Sequence, residues 1–159
     1  MKILGVRVDE LNRVAALEVA GKWLEEDPAR WRQVITINTE MLMRARKDPA
    51  FRSIIERADL VIPDGSGIVW ASHLLGFALE ERIAGIDLLL DLLGLCKTTG
   101  KSVYLLGGRP GVAEKAAAKL GAERPGLRIC GVHHGYFPER DESVVELVRS
   151  AAPDLLVVG

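Results

Sequence analysis

The chain has 159 residues, near the usual size of one domain: enough to bury a core, but short for two domains. Its 21 Lys and Arg against 22 Asp and Glu leave a formal net charge of −1, so no global field favours nucleic acid or anionic lipid and any anion site must be local. The opening MKILGVRVDE turns polar too soon for a signal peptide, and the longest apolar run, residues 83–96, is broken by Asp87, Asp91 and two glycines, which excludes a spanning helix there.

In chain order, Ile3 to Val8 reads as a first strand, and Asp9 and Asn12 offer caps for a helix from about Val14 to Glu26, which Asp27-Pro28 stops. QVITIN, Gln33 to Asn38, is short and rich in β-branched residues, a buried strand feeding a polar turn. Met41 to Glu56 returns to helical spacing. DLVI, Asp59 to Ile62, is a second brief strand that ends at Pro63-Asp64-Gly65-Ser66-Gly67, before a helix from Ile68 to Leu75. After a polar elbow at Arg82 to Asp87 comes an apolar helix ending near Lys97. The Leu-rich stretch Leu88 to Leu95 within it reads as core-facing.

Ser102 to Leu106 is a strand that runs into Gly107-Gly108-Arg109-Pro110-Gly111, followed by an Ala-rich helix from Val112 to Leu120. Leu127 to Val132 reads as a strand, His133 to Phe137 as a loop, Glu142 to Ser150 as a helix and Leu155 to Val158 as a last strand. Alternating short strands and helices predict an α/β fold, a Rossmann-like layered α/β/α domain with a largely parallel sheet, in one domain spanning residues 1–159. In such sheets ligands bind beyond the carboxyl ends of the strands, where this sequence places Asn38, Asp64, Gly107-Gly108 and His133-His134.

Each of these has a functional and a plain reading. Asp64, at a strand tip and followed by small residues, suits a general base; Asp before Gly is also an ordinary turn or cap residue. Thr36, Asn38 and Thr39 offer polar groups to a sugar or base, or cap the next helix. Arg82 matches phosphate oxygens, or is a solvated charge. The Gly107-Gly108 turn suits the approach of backbone N–H groups to a phosphate at a helix start, or is a tight turn; it fits neither the Walker pattern nor a clean GxGxxG.

His133 and His134 lack metal-site spacing, and adjacent strand residues point to opposite sides, so no metal site is expected. Trp23, Trp31 and Trp70 form no base-stacking pattern, which argues against a nucleic-acid partner, and core packing suffices for them. Cys96 and Cys130 lie in apolar segments without CxxC spacing and read as buried thiols in a reducing cytosol.

Taken together, TINTEML at 36–42, ADLVIPDGSGIVWAS at 58–72, RIAGIDL at 82–88, YLLGGRPGVAE at 104–114, HGYF at 134–137 and PDLLVVG at 153–159 resemble the WecG/TagA/CpsF family of glycosyltransferases, most closely its teichoic-acid N-acetylmannosaminyltransferase branch. The resemblance implies inverting transfer of N-acetylmannosamine, or a related sugar, from a UDP donor to undecaprenyl-diphosphate-linked N-acetylglucosamine, with no metal or other cofactor, in wall teichoic acid or surface polysaccharide synthesis. It implies Asp64 as the base that deprotonates the acceptor hydroxyl, Thr36 and Asn38 lining the donor or acceptor pocket, Arg82 facing substrate and the Gly107-Gly108 loop holding the diphosphate.

Members of that family continue past PDLLVVG into a Gly-rich loop and a basic segment. The resemblance therefore implies that the segment docking the protein on the inner face of the plasma membrane lies beyond residue 159, and that this chain alone is weakly active or inactive. The apolar content allows self-association. Two rival readings stay open at this point: a nucleotide- or dinucleotide-binding domain of regulatory or oxidoreductase type, and a non-enzymatic scaffold binding partners through an apolar surface.

Overall fold

A computed structural model describes residues 1–26, 30–77, 79 and 81–159. Two compact units divide the chain, Met1–Asp91 and Leu92–Gly159. The class is α/β, and the strands that follow the opening hairpin all pair in parallel, in two sheets.

The first unit opens with β1 (Lys2–Ile3) and β2 (Val6–Arg7), an antiparallel hairpin where the sequence suggested one strand. Leu4 and Gly5 both adopt positive φ, 50° and 80°, the backbone twist that a two-residue hairpin turn requires. Helix α1 (Arg13–Glu25) starts on Asn12, whose side chain accepts from the Ala15 N–H. Asp9, the other expected cap, instead accepts from the Val61 N–H and pairs with Arg7. The expected stop at Asp27-Pro28 lies outside the described residues.

Strand β3 (Val34–Ile37) pairs in parallel with β4 (Leu60–Pro63), with Ile37 opposite Pro63. Parallel neighbours need a crossover, supplied here by α2 (Thr39–Lys47) and α3 (Pro49–Arg57). The sequence suggested one helix over this stretch, but it divides at Asp48. Pro49 has no N–H to continue the first helix, and the Asp48 side chain caps the second by accepting from Phe51. After α4 (Ser66–Leu74) comes α5 (Gly85–Thr99), within which the division between the units falls. Ile3, Val6, Val8, Ile37, Leu42, Ile55, Val61 and Ile68 form the buried core of this unit. Each such side chain contributes about 1.5–3 kcal/mol through burial.

In the second unit β5 (Ser102–Leu106) runs between β6 (Arg128–His133) and β7 (Leu155–Val158), parallel to both. Helices α6 (Val112–Glu123) and α7 (Glu142–Ala151) complete it. Asp154 ties the strand starts together: its carboxylate accepts from the Ser102 N–H at 2.7 Å and hydroxyl at 2.9 Å, and pairs with Lys101 at 3.1 Å. Desolvation alone would raise its pKa, but the Ser102 bonds and Lys101 outweigh that and hold the carboxyl below its usual range.

Two expectations about burial are corrected. Trp31 and Trp70 are 80% and 69% exposed rather than core residues, and Trp23 is half-buried under Arg32. Helix α4 buries Ile68 and Ser72, four residues apart on one face, and Trp70 between them projects from the other. Trp31 lies in the polar stretch before β3. Cys96 is buried as expected, but Cys130 is exposed. The register of β5 on β6 shifts so that Val103 faces Ile129 and Tyr104 faces Gly131, leaving Cys130 as the unpaired residue of a bulge on an edge strand. The Leu-rich stretch does face inward: Leu88, Leu92 and Leu93 are buried.

Burial pushes the Cys96 thiol up to about 11, so at pH 8 only about one molecule in a thousand carries its thiolate. Native protein treated with a thiol reagent at pH 8 is expected to label first at Cys130, with Cys96 reacting only on unfolding; mass spectrometry of the peptides distinguishes the two.

Candidate active site

The end of the parallel pair in the first unit collects the expected residues. Strand β4 is apolar and buried throughout, and directly after Pro63 the chain emerges at the half-buried Asp64. Its backbone N–H donates to the Ile37 carbonyl at 2.8 Å, which extends the ladder one residue and fixes the Cα of Asp64 beside the end of β3. Thr36 lies within β3, and Asn38 is the first residue after it.

The helix that follows Asp64 begins on Gly65 with no side-chain cap, so Asp64 is not the simple cap that its place before glycine suggested. Its Oδ2 accepts instead from the N–H of Gly85, the first residue of α5, at 3.0 Å. The adjacent Ile83 N–H donates to the Pro63 carbonyl at 2.9 Å. Two hydrogen bonds thus lock the RIAG segment against the IPDG segment. Asp64 Oδ1 has no protein partner among the described residues, as a carboxylate that is to receive a proton from a ligand requires.

Gly85 makes this closeness possible. A Cβ there would lie 2.8 Å from Thr36 Cγ2, 3.1 Å from Thr36 Oγ1 and 3.2 Å from Asp64 Oδ2. Gly67 does the same for Thr39, whose Oγ1 would lie 2.8 Å from an added Cβ. The reading of the sequence missed both glycines as site residues. RIAGIDL and the small residues after Asp64 were the signals, but neither says which side chain each glycine faces.

Asn38 caps α2, its Oδ1 accepting from the Met41 N–H at 2.9 Å, which leaves its amide N–H groups for a ligand. Arg82 is exposed and forms no ion pair among the described residues. Its chain neighbour Ile83 carries the bond to Pro63, which places the Arg82 backbone beside the Asp64 segment.

In the second unit the carboxyl ends of all three strands meet through glycine. Gly107 N–H donates to the His133 carbonyl at 2.9 Å, Gly108 N–H to the Gly159 carbonyl at 3.1 Å, Gly159 N–H to the Leu106 carbonyl at 3.0 Å and Gly135 N–H to the Gly108 carbonyl at 2.8 Å. The N–H groups of Gly107 and Gly108 are therefore committed to the protein. What the pair offers a ligand is the absence of side chains; a Cβ on Gly107, at φ +148°, would overlap the Gly159 carbonyl. Helix α6 starts next to this turn on Gly111, with no side-chain cap, so the positive end of its dipole is open.

His134 lies beyond the last residue of β6, so the strand rule that sends neighbours to opposite sides does not govern the His133-His134 pair. Their rings lie together, with centroids 4.4 Å apart.

The sequence pattern of the WecG/TagA/CpsF glycosyl transferase family matches residues 1–159. Among curated proteins, the chain is similar to N-acetylglucosaminyldiphosphoundecaprenol N-acetyl-beta-D-mannosaminyltransferases of Staphylococcus aureus, for example those of strains NCTC 8325 / PS 47, COL and MRSA252. Each is 31% identical over 157 residues, which are 99% of this chain and 61% of the relative.

The contacts of Gly85 predict opposite outcomes for one substitution at two positions. Gly85→Ala is expected to destabilise the protein by about 1–3 kcal/mol, as overpacking does. Gly121→Ala, in α6 with nothing within 4 Å of an added Cβ, is expected to stabilise it by about 0.5–1 kcal/mol. Urea denaturation midpoints of the two variants check both signs.

Proposed function

This chain belongs to the WecG/TagA/CpsF family of glycosyl transferases, and on that premise we propose that it transfers an N-acetylmannosamine-type sugar from a UDP-sugar to a lipid-diphosphate-linked N-acetylglucosamine, with inversion and without a metal ion. The observation that carries the reading is Asp64: a carboxylate at the tip of a buried strand, one oxygen tied to Gly85 and the other open. The names of the relatives support the sugar and the acceptor.

Asp64 Oδ1 takes the proton of the acceptor hydroxyl as that oxygen attacks the anomeric carbon, and the bond from that carbon to the diphosphate oxygen breaks with its electron pair leaving on UDP. One displacement from the opposite face inverts the carbon, and no covalent sugar–enzyme bond forms. Thr36, whose side chain lies against Gly85, and the free amide of Asn38 hydrogen-bond sugar hydroxyls, and Arg82 offers its guanidinium to a phosphate. Within the second unit, taken by itself, the bare Gly107-Gly108 turn and the first turn of α6 are the features suited to a diphosphate. Charge on a departing UDP is met by fixed donors of this kind. Among the described residues no three His, Cys, Asp or Glu side chains gather to hold a metal.

No helix among the described residues is long and apolar enough to cross a membrane. An acceptor anchored in lipid places the protein, on this reading, at the cytoplasmic membrane surface, where the polymer is wall teichoic acid or a related polysaccharide.

The test is UDP release from UDP-N-acetylmannosamine with the lipid-linked acceptor and a chelator present. Acceptor-dependent turnover is expected to survive chelation and to fall by about 10²- to 10⁴-fold in Asp64→Asn. Undiminished turnover in the variant removes Asp64 from the role of base. Stability raised by NAD and not by UDP replaces the reading with a dinucleotide-binding one.

A further inference from the structure

The imidazoles of His133 and His134 are held in opposite tautomers by the backbone around them. His133 Nδ1 lies 2.8 Å from the His134 carbonyl oxygen, which can only accept, so this nitrogen carries a proton. The Tyr136 N–H, which can only donate, points at His134 Nδ1 from 3.2 Å, so this nitrogen is bare. In the neutral rings His133 Nε2 is therefore an acceptor and His134 Nε2–H a donor. Neither Nε2 has a hydrogen-bond partner among the described residues, although the Asp141 carboxylate is near enough to feel the charge of His133, and both rings are only partly buried. The rings sit 4.4 Å apart with a 41° tilt, and Phe137 packs edge-on against His133 with centroids 5.9 Å apart.

An acceptor on one ring and a donor on its neighbour, at the carboxyl end of a parallel strand, suit a planar ligand whose neighbouring atoms are a donor and an acceptor. The edge of uracil is such a group, with N3–H donating and O4 accepting. Cytosine inverts both, with a bare N3 and an N4 amino group, and would set donor against donor and acceptor against acceptor. A phosphate, with acceptors only, would engage His134 alone.

Resting on the reading that the sugar donor is a uridine nucleotide, we propose that His133 and His134 select its base: His133 Nε2 accepts from N3–H and His134 Nε2–H donates to O4. Buried polar groups left facing the wrong partner are the strongest source of discrimination between ligands of equal size. The pair thus determines specificity for uracil and takes no part in the chemical step.

Calorimetric titration of UDP and CDP into the wild type and into His133→Phe, His134→Phe and His134→Gln tests the assignment. The wild type is expected to prefer UDP by roughly 10- to 100-fold. Each Phe variant should bring that ratio close to one, and Gln at 134, which keeps an N–H donor at similar reach, should restore most of it. A role confined to holding the loop would weaken both nucleotides alike and leave the ratio unchanged, which overturns the proposal. Should the Phe variants fail to fold, N3-methyl-UDP serves with the wild type alone: weaker binding than UDP, by a similar factor, supports the contact at N3, and equal binding overturns it. A wild type that binds no UDP removes the nucleotide reading, and the base selection with it.

Discussion

One close approach organises the first unit: the end of β4 against the start of α5, possible because residue 85 has no side chain. The Gly85 N–H reaches the Asp64 carboxylate 21 residues earlier in the chain, and the same absence of a Cβ admits the Thr36 side chain. Without that contact Asp64 would be a flexible turn carboxylate. With it, one oxygen is held and the other presented in a fixed direction, the kind of preorganisation that makes a general base effective. The parallel pairing of β3 with β4 supplies the rest, because it brings Thr36, Asn38 and Asp64 to the same end of two adjacent strands.

The second unit uses glycine differently. Its four glycines at the strand ends, Gly107, Gly108, Gly135 and Gly159, join β5, β6 and β7 through backbone hydrogen bonds rather than holding donors ready for a ligand. On the proposed reading, donors and acceptors for a nucleotide then come from around this knot: the uncapped start of α6 and the Nε2 atoms of two histidines. A backbone that satisfies itself leaves recognition to side chains and to a helix terminus, and both can be changed without dismantling the sheet.

Much of this was readable from the residues. Short apolar runs ending in polar or glycine clusters gave the strands after the hairpin to within two residues, with β5 and β7 at their observed ends, because a brief apolar run bounded by turn residues marks a strand. Asp64 was legible as a strand-tip carboxylate for the same reason. Its partner was not, since nothing local in RIAGIDL says that Gly85 will face a carboxylate from another strand. The Leu4-Gly5 turn was hidden because Leu rarely takes positive φ. The Asp48-Pro49 pair that divides α2 from α3 lies within a stretch whose helical spacing continues on both sides of it. The bulge at Cys130 and the pairing of the two histidines arise from register and from where a strand stops, which periodicity places only loosely.

The central claim, that Asp64 meets the acceptor hydroxyl, is tested most directly by a crystal structure of the Asp64→Asn protein with the lipid-diphosphate-N-acetylglucosamine acceptor bound. The account predicts the reacting hydroxyl within about 2.6–3.2 Å of the residue 64 side chain, or joined to it by a single water. An acceptor bound with that hydroxyl out of reach of residue 64, and facing another titratable side chain, would contradict it.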